Sequence, residues 1–157
     1  MLVFFSVHQL ENVMLAGDGH VVLVDYGSAS EIDAPAYCTA TMATVGALVY
    51  MAPEIILARP GGRHSDWWSL GVLAHELMTG RSPWSSLVDK DVIKSEVVGG
   101  VTLNPSRHLS ICADAFVRGL LQRDALTRLG STQDKDVRVC ACYWCGVGCG
   151  VDYLVDF

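Results

Sequence analysis

The 157-residue sequence predicts a mainly α-helical fold with one small β-hairpin. Three observations carry that expectation. Trp67 to Met78 is a strongly apolar stretch of helical length, followed by Gly80, which can stop a helix. Asp89–Val98 and a segment from Ser110 to about Gln122 also have helical length, with Ser110 as an N-cap. Two short apolar runs, Val13–Leu15 and Val21–Val24, flank the turn sequence Gly17-Asp18-Gly19 and read as paired strands.

Each element follows from its local chemistry. Ser28–Gly46 is rich in Ala, Thr and Ser without a clear period, so a long loop is expected; such loops in compact domains usually carry function. Ser65-Asp66 marks a helix start. The helix that follows is apolar on most sides and should lie buried at the centre. Ser82-Pro83-Trp84 is a turn. The Asp89–Val98 helix has mixed charge and should be exposed, ending at Gly99-Gly100. The Ser110 helix should bury Ala115, Phe116, Leu120 and Leu121. From about Thr132 the composition shifts and helical periodicity fades. The chain thus divides into residues 1–9, 10–131 and 132–157.

Bulk properties narrow the function classes. With 51% apolar and 18% charged residues the chain is not a disordered tail. Its net charge of −6 lies entirely in residues 1–58, which hold Glu11, Asp18, Asp25, Glu31, Asp33 and Glu54 but no Lys or Arg. Such a surface suits a divalent metal or a partner bringing positive charge; no nucleic-acid or membrane partner is expected. No apolar run reaches the roughly 18–20 residues of a membrane span. The opening MLVFF is short and lacks a basic flank, so no signal peptide is expected. Asn104-Pro105-Ser106 is disqualified as a glycosylation acceptor by its proline. Cys38 and Cys112 are isolated and four cysteines crowd the C-terminal tail, unlike a disulfide framework, so the expected compartment is cytoplasmic or nuclear.

Four short motifs stand in order: Leu10-Glu11-Asn12-Val13-Met14-Leu15, Asp25-Tyr26-Gly27, Tyr50-Met51-Ala52-Pro53-Glu54 and His64-Ser65-Asp66-Trp67-Trp68-Ser69-Leu70-Gly71. Singly each is a weak signal. Their order and spacing, with Asn12 thirteen residues before Asp25 and Glu54 twelve before Asp66, make chance a poor explanation. Asn12 offers an amide oxygen and Asp25 a carboxylate, both hard ligands suited to Mg²⁺, and a hairpin would bring them together.

This series resembles the C-terminal lobe of a eukaryotic Ser/Thr protein kinase over Leu10 to Gly130. Asp25-Tyr26-Gly27 is similar to D-F-G, Ala52-Pro53-Glu54 to A-P-E, and Asp66 to the Asp that begins the family's central helix. Arg128, in Arg128-Leu129-Gly130, matches the Arg that pairs with the A-P-E Glu. The Trp67–Leu73 run and the Arg128-Leu129-Gly130 ending look like the AGC group, its ribosomal-protein and stress-activated branches included. The resemblance implies Mg²⁺ and ATP as cofactors, with Asn12 and Asp25 on the metal, Asp25 and Met14 at the nucleotide, and Met14 under the adenine. Strand core is an equal reading of Met14. Tyr26 and Gly27 would set the loop position, and Glu54, Asp66 and Arg128 would be structural. Glu11 and Glu76 would hold a substrate arginine, so the implied partner is a protein with basic residues near the acceptor Ser/Thr. A solvated helix position is an equal reading of Glu76.

The departures are as specific as the matches. The family's H-R-D-x-K-x-x-N appears with Val7 at the Asp position, Gln9 at the Lys position and Ser6 at the Arg position. Val7 cannot orient a hydroxyl or accept its proton, and Gln9 brings no charge to a phosphoryl group. The Thr that joins their network is Ala47. The usual activation-loop phosphosite aligns with Ala43; Thr41 and Thr44 are out of register. No Gly-rich loop, strand Lys or helix Glu precedes Leu10, and Gly146-Val147-Gly148-Cys149-Gly150 is at the wrong end to serve. No catalytic residue is intact, and no kinase activity is expected of this chain alone. Two explanations stand: a fragment or faulty gene model, favoured by the sharp edges of the resemblance, or a degenerate kinase that binds partner proteins, favoured by Ala47 within well-matched sequence. The first is the working expectation. Cys140, Cys142, Cys145 and Cys149 lie on one short stretch without a second, separated ligand pair, so zinc is not expected.

Overall fold

Helix α3, Arg63–Thr79, is the central element of the computed structural model, which describes residues 2–4, 9–27, 29–31, 45–84, 89–99 and 109–131. Its C-terminus is set by Gly80, left-handed at φ +72°, whose N–H donates to Glu76 O at 2.7 Å. Its N-terminus begins two residues before the Ser65-Asp66 signal, after Gly62. Gly62 N–H donates to Ser65 Oγ, and Asp66 sits in the first turn, where a carboxylate complements the helix dipole. Ser65, Trp68, Ser69 and Val72 recur at helical spacing on the buried face, while Leu77 is exposed. The helix is therefore buried on one side rather than most.

Around that face lie α1, Val45–Leu48, α2, Pro53–Ile56, and α4, Lys90–Gly99. Leu48, Tyr50, Met51, Ala52 and Ile55 enter one core with Trp68, Val72, Leu73, Trp84, Ile93 and Val97. Helix α4 departs from its expected exposure. Asp89 caps it through Asp91 N–H, and its charged residues face outward, but Ile93 and Val97 are fully buried against α1 and α2. A two-residue stripe at i and i+4 suffices to dock a helix whose remaining surface is polar.

Helix α5, Ile111–Leu120, packs on α3. Ser110 caps it as expected, its Oγ accepting from Ala113 N–H at 3.2 Å. The buried stripe is Ala113, Val117 and Leu120, and Ala115 is exposed. The expected face over Ala115 and Phe116 is thus rotated. The cause is Gly71 of α3: a Cβ there would stand 2.8 Å from Leu120 Cβ and 2.9 Å from Leu121 Cδ2, so α5 docks where α3 has no side chain.

The strands form two separate antiparallel pairs. β2, Val13–Leu15, and β3, Val21–Leu23, are the expected hairpin, in register Val13↔Leu23, Met14↔Val22 and Leu15↔Val21. Its turn is closed by Ala16 N–H to His20 O, with Gly19 at φ +87° and Asp18 Oδ1 accepting from His20 N–H. β1, Leu2–Phe4, pairs with β4, Ala29–Glu31, so the segment preceding the resemblance contributes a strand. β4 and α1 occupy the two ends of the expected Ser28–Gly46 loop; residues 28 and 32–44 lie outside the described residues, as do Ser6, Val7 and the cysteine tail.

Replacing Gly71 with Ala is expected to cost about 1–3 kcal/mol through overpacking against α5. Gly99→Ala, where nothing lies within 4 Å of the added carbon, should cost far less. Urea denaturation of the two variants measures the difference.

Candidate functional site

The strongest polar feature ties α2 to the segment after α5. Glu54 and Arg128 are 74 residues apart in sequence, and both are buried, Arg128 at 1% exposure. The pair is bidentate: Arg128 Nη1 donates to Glu54 Oε1 at 2.7 Å and Nη2 to Oε2 at 3.0 Å. The remaining guanidinium donors are satisfied by backbone, with Nε on Gln122 O at 2.8 Å, Nη1 also on His64 O at 2.5 Å and Nη2 on Arg123 O. Ser65 Oγ donates to Glu54 Oε1 at 2.8 Å. Burial alone would raise the Glu54 pKa; hydrogen bonds and charge from Arg128, helped by Ser65, outweigh it and hold the carboxyl below its usual range.

The guanidinium also lies 5.2 Å from the Trp68 ring centroid, and Trp68 stacks on Trp84 at 6.1 Å with planes 6° apart. Trp84 Nε1 donates to Val49 O at 2.6 Å, and Ser69 Oγ to Tyr50 O at 2.8 Å. Ser69 of α3 and Trp84 beyond it thereby grip the backbone of residues 49–50, between α1 and α2.

Tyr50 connects this core to the chain's third cluster. Its buried hydroxyl donates to Glu76 Oε2 and accepts from Leu10 N–H at 3.4 Å. Burial first, then the Glu76 hydrogen bond, pushes the phenol pKa well above its ordinary value, with the charges of Glu76 and Glu11 adding to the effect. Glu76 is therefore half-buried and engaged with Tyr50 rather than freely solvated, and exposed Glu11 acts on the same hydroxyl.

Leu10–Asn12 forms a 3-10 turn in which Asn12 N–H donates to Gln9 O at 2.9 Å. Asn12 O accepts from Val24 N–H at 2.9 Å, extending the β2–β3 ladder by one step. That register sets Asn12 beside the strand end that leads into Asp25. Asp25 is exposed and adopts φ +62°, an uncommon conformation for a residue with a side chain; Gly27 N–H donates to its Oδ1 at 3.3 Å. Tyr26 turns back along the strand, its hydroxyl donating to Leu23 O at 2.8 Å. Met14 is 52% exposed on β2, beside exposed Val22. Met14 is therefore not packed in the core of this chain, and an apolar surface adjoins the Asn12–Asp25 edge.

The structure thus gathers the expected site residues into three places. Glu54 and Arg128 meet directly, with Asp66 near Glu54's partner Ser65 in the first turn of α3. Glu76 bonds Tyr50, whose hydroxyl also accepts from Leu10 N–H, next in sequence to Glu11; Asn12, Asp25, Tyr26, Gly27 and Met14 lie on or beside the hairpin. Sequence reasoning missed Tyr50, Ser65 and His64 as site members. Tyr50 had a usable signal, since a tyrosine in an apolar segment needs a partner for its hydroxyl. Among the described residues no group of three or more His, Cys, Asp or Glu gathers as a metal site. No helix there is long and apolar enough to cross a membrane.

Residues 9–138 match the protein kinase domain, and the chain belongs to that family. It is 38% identical over 127 residues to protein kinase C zeta type of Oryctolagus cuniculus, covering 78% of this chain and 21% of the relative. Identity to the serine/threonine-protein kinase AtPK1/AtPK6 of Arabidopsis thaliana is 38% over 121 residues, covering 77% and 25%. For the serine/threonine-protein kinase Sgk1 of Danio rerio it is 34% over 124 residues, covering 79% and 28%. These are Ser/Thr kinases of the AGC group, which bears out the resemblance read from the motifs. The chain spans about a quarter of the length of the curated relatives it matches.

Arg128→Met is expected to destabilise the fold by about 3–5 kcal/mol, because Glu54 is left as a buried, uncompensated charge. Chemical denaturation reads this loss. Tyr50→Phe removes one hydroxyl from Leu10 N–H and Glu76 and should cost about 1–3 kcal/mol. Amide exchange at Leu10 should rise with it.

Proposed function

We propose that this chain is the C-terminal lobe of a Ser/Thr protein kinase domain, the half that holds Mg²⁺ and reads the protein substrate. The observation that carries the reading is the Asn12–Asp25 edge. It is supported by the backbone bond from Val24 N–H to Asn12 O, which brings Asn12 to the strand end preceding Asp25, and by the left-handed backbone of Asp25. Two hard oxygen ligands fit Mg²⁺, which keeps several waters and takes the rest of its shell from phosphates. The ion supplies neutralisation of the phosphate charge during in-line transfer.

This chain's own residues then have separate tasks. Asn12 and Asp25 would hold the ion, and exposed Met14 would offer an apolar surface to the adenine of ATP. Glu11 and Glu76, coupled through Tyr50, would receive a guanidinium from a substrate with basic residues near its acceptor hydroxyl. Tyr26 and Gly27 hold the chain beside Asp25 through their bonds to Leu23 and Asp25. Gln9 stands where the family's catalytic-loop Lys is expected and Val7 where its Asp is expected. Neither can activate the acceptor hydroxyl or compensate phosphoryl charge, so the isolated chain does not transfer phosphate. Its cysteine usage, unlike a disulfide framework, supports a cytoplasmic or nuclear compartment.

A second reading is a protein-interaction module derived from a kinase. The Glu54–Arg128 pair and the core around Trp68 are complete without any of the replaced positions, which favours a fold retained apart from catalysis.

Incubating the 157-residue chain with Mg²⁺, ATP and an Arg-rich Ser peptide is expected to yield no phosphopeptide; robust transfer overturns the inactive assignment. Binding of a fluorescent ATP analogue should depend on Mg²⁺ and lose that dependence in Asp25→Ala. Nucleotide binding unaltered by Mg²⁺ and by Asp25→Ala refutes the metal site and leaves the interaction module.

A further inference from the structure

Oε1 of the Glu54 carboxylate has both of its acceptor sites taken. Oε1 receives Arg128 Nη1 at 2.7 Å and Ser65 Oγ at 2.8 Å, and Oε2 receives Arg128 Nη2 at 3.0 Å. A fourth group stands against it outside hydrogen-bond range: His64 Nε2 is 3.6 Å from Glu54 Oε1. The placement of this imidazole is constrained. The carbonyl of His64 accepts from Arg128 Nη1, and the ring lies over Gly62, where a Cβ would come within 2.9 Å of His64 Cε1. Its side chain keeps 30% exposure, so solvent protons reach it.

The geometry points to His64 as a proton-sensitive element built into the Glu54–Arg128 anchor: neutral, it leaves the pair undisturbed, and protonated, it loosens the hold on Pro53–Arg59. An imidazolium gains a donor that needs an acceptor. The facing acceptor is Glu54 Oε1, which can serve it only by yielding part of its bond to Ser65 or Arg128. The charged groups acting on the ring from elements packed against it are Glu54 of α2 and Arg128 of the segment after α5; Arg63 and Asp66 neighbour it in sequence on α3. Glu54 and Arg128 nearly cancel, so a third charge gains little from the pair and loses hydration. Accordingly, burial depresses the His64 pKa; attraction to Glu54 opposes the shift and repulsion from Arg128 adds to it.

The sign follows. The unfolded chain protonates this histidine near the ordinary value of about 6.5, and the folded chain only at lower pH. The stability carried by the neutral ring is full above that ordinary value and is lost as pH falls through it towards the depressed one. The contribution of Glu54, held below the usual carboxylate range, starts to be lost only below the ordinary carboxylate value. Of the two, His64 therefore acts in the mildly acidic window. This device needs neither the metal site nor phosphoryl transfer.

The test uses the 157-residue chain and its His64→Gln variant, which cannot titrate there. Hydrogen exchange followed by mass spectrometry, corrected for intrinsic rates, is compared at pH 7.5 and pH 5.5. Protection of Pro53–Arg59 should fall on acidification in the parent and fall less in His64→Gln. Equal losses in the two chains overturn the proposal. Should His64→Gln not fold, an NMR titration of the His64 ring in the parent decides: a midpoint below that of a histidine in an unstructured peptide supports the device, and one at or above it refutes it.

Discussion

One buried charge pair fixes where the segments around the central helix meet. Glu54 arrives on a four-residue helix too short to hold itself, and Arg128 on an irregular segment after α5. Each is held in place in part by the other. Removing two charges from water is costly, and such a pair repays it only when every donor is used. Here all the guanidinium nitrogens find acceptors, three of them backbone carbonyls: Gln122 and Arg123 of its own segment and His64 of α3. The pair therefore acts less as a source of net stability than as a specification of which segments meet. The stacked Trp68 and Trp84 continue that specification from the guanidinium into the apolar core.

Fold maintenance and chemistry occupy different parts of the chain. The core draws on residues 48–55, 68–73, 84, 93 and 97. The residues proposed to contact metal, nucleotide and a substrate guanidinium lie at 11–27, with Glu76 as the exception. Tyr50 is the joint between the two regions, because its ring belongs to the core and its hydroxyl to the Leu10 turn and Glu76. Gln9, at the lysine position, is not among the core residues, so its replacement leaves that core unaltered.

How much of this could be read from sequence depended on the range of the interaction. Helix α3 was legible because the apolar run and Gly80 are local signals. The hairpin was legible because Gly17-Asp18-Gly19 marks its turn between two apolar runs; its register sets Asn12 opposite Val24, the residue before Asp25. The buried face of α5 was not, because Ala115 and Phe116 are as apolar as Ala113 and Val117, and the choice is made by a glycine forty residues upstream on another helix. The burial of α4 was hidden by the charges flanking Ile93 and Val97. The Glu54–Arg128 pairing came from the family resemblance, not from local pattern. The contacts of Tyr50 with Leu10 and Glu76 span 40 and 26 residues and have no local signature.

The β2–β3 hairpin carries a consequence of its size. Two strands of three residues make a sheet that is at best marginal in water alone. Its described ties to the helical body are the half-buried Val13 packed on the core and the single Leu10–Tyr50 hydrogen bond. The hairpin is therefore a separate cooperative unit, at the low end of the molecule's local stabilities, while the helices around Trp68 stand at the high end. A ligand that bridges Asn12 and Asp25 would do more than occupy a site: by joining the two strand ends it would close the hairpin and order the least stable unit of the chain.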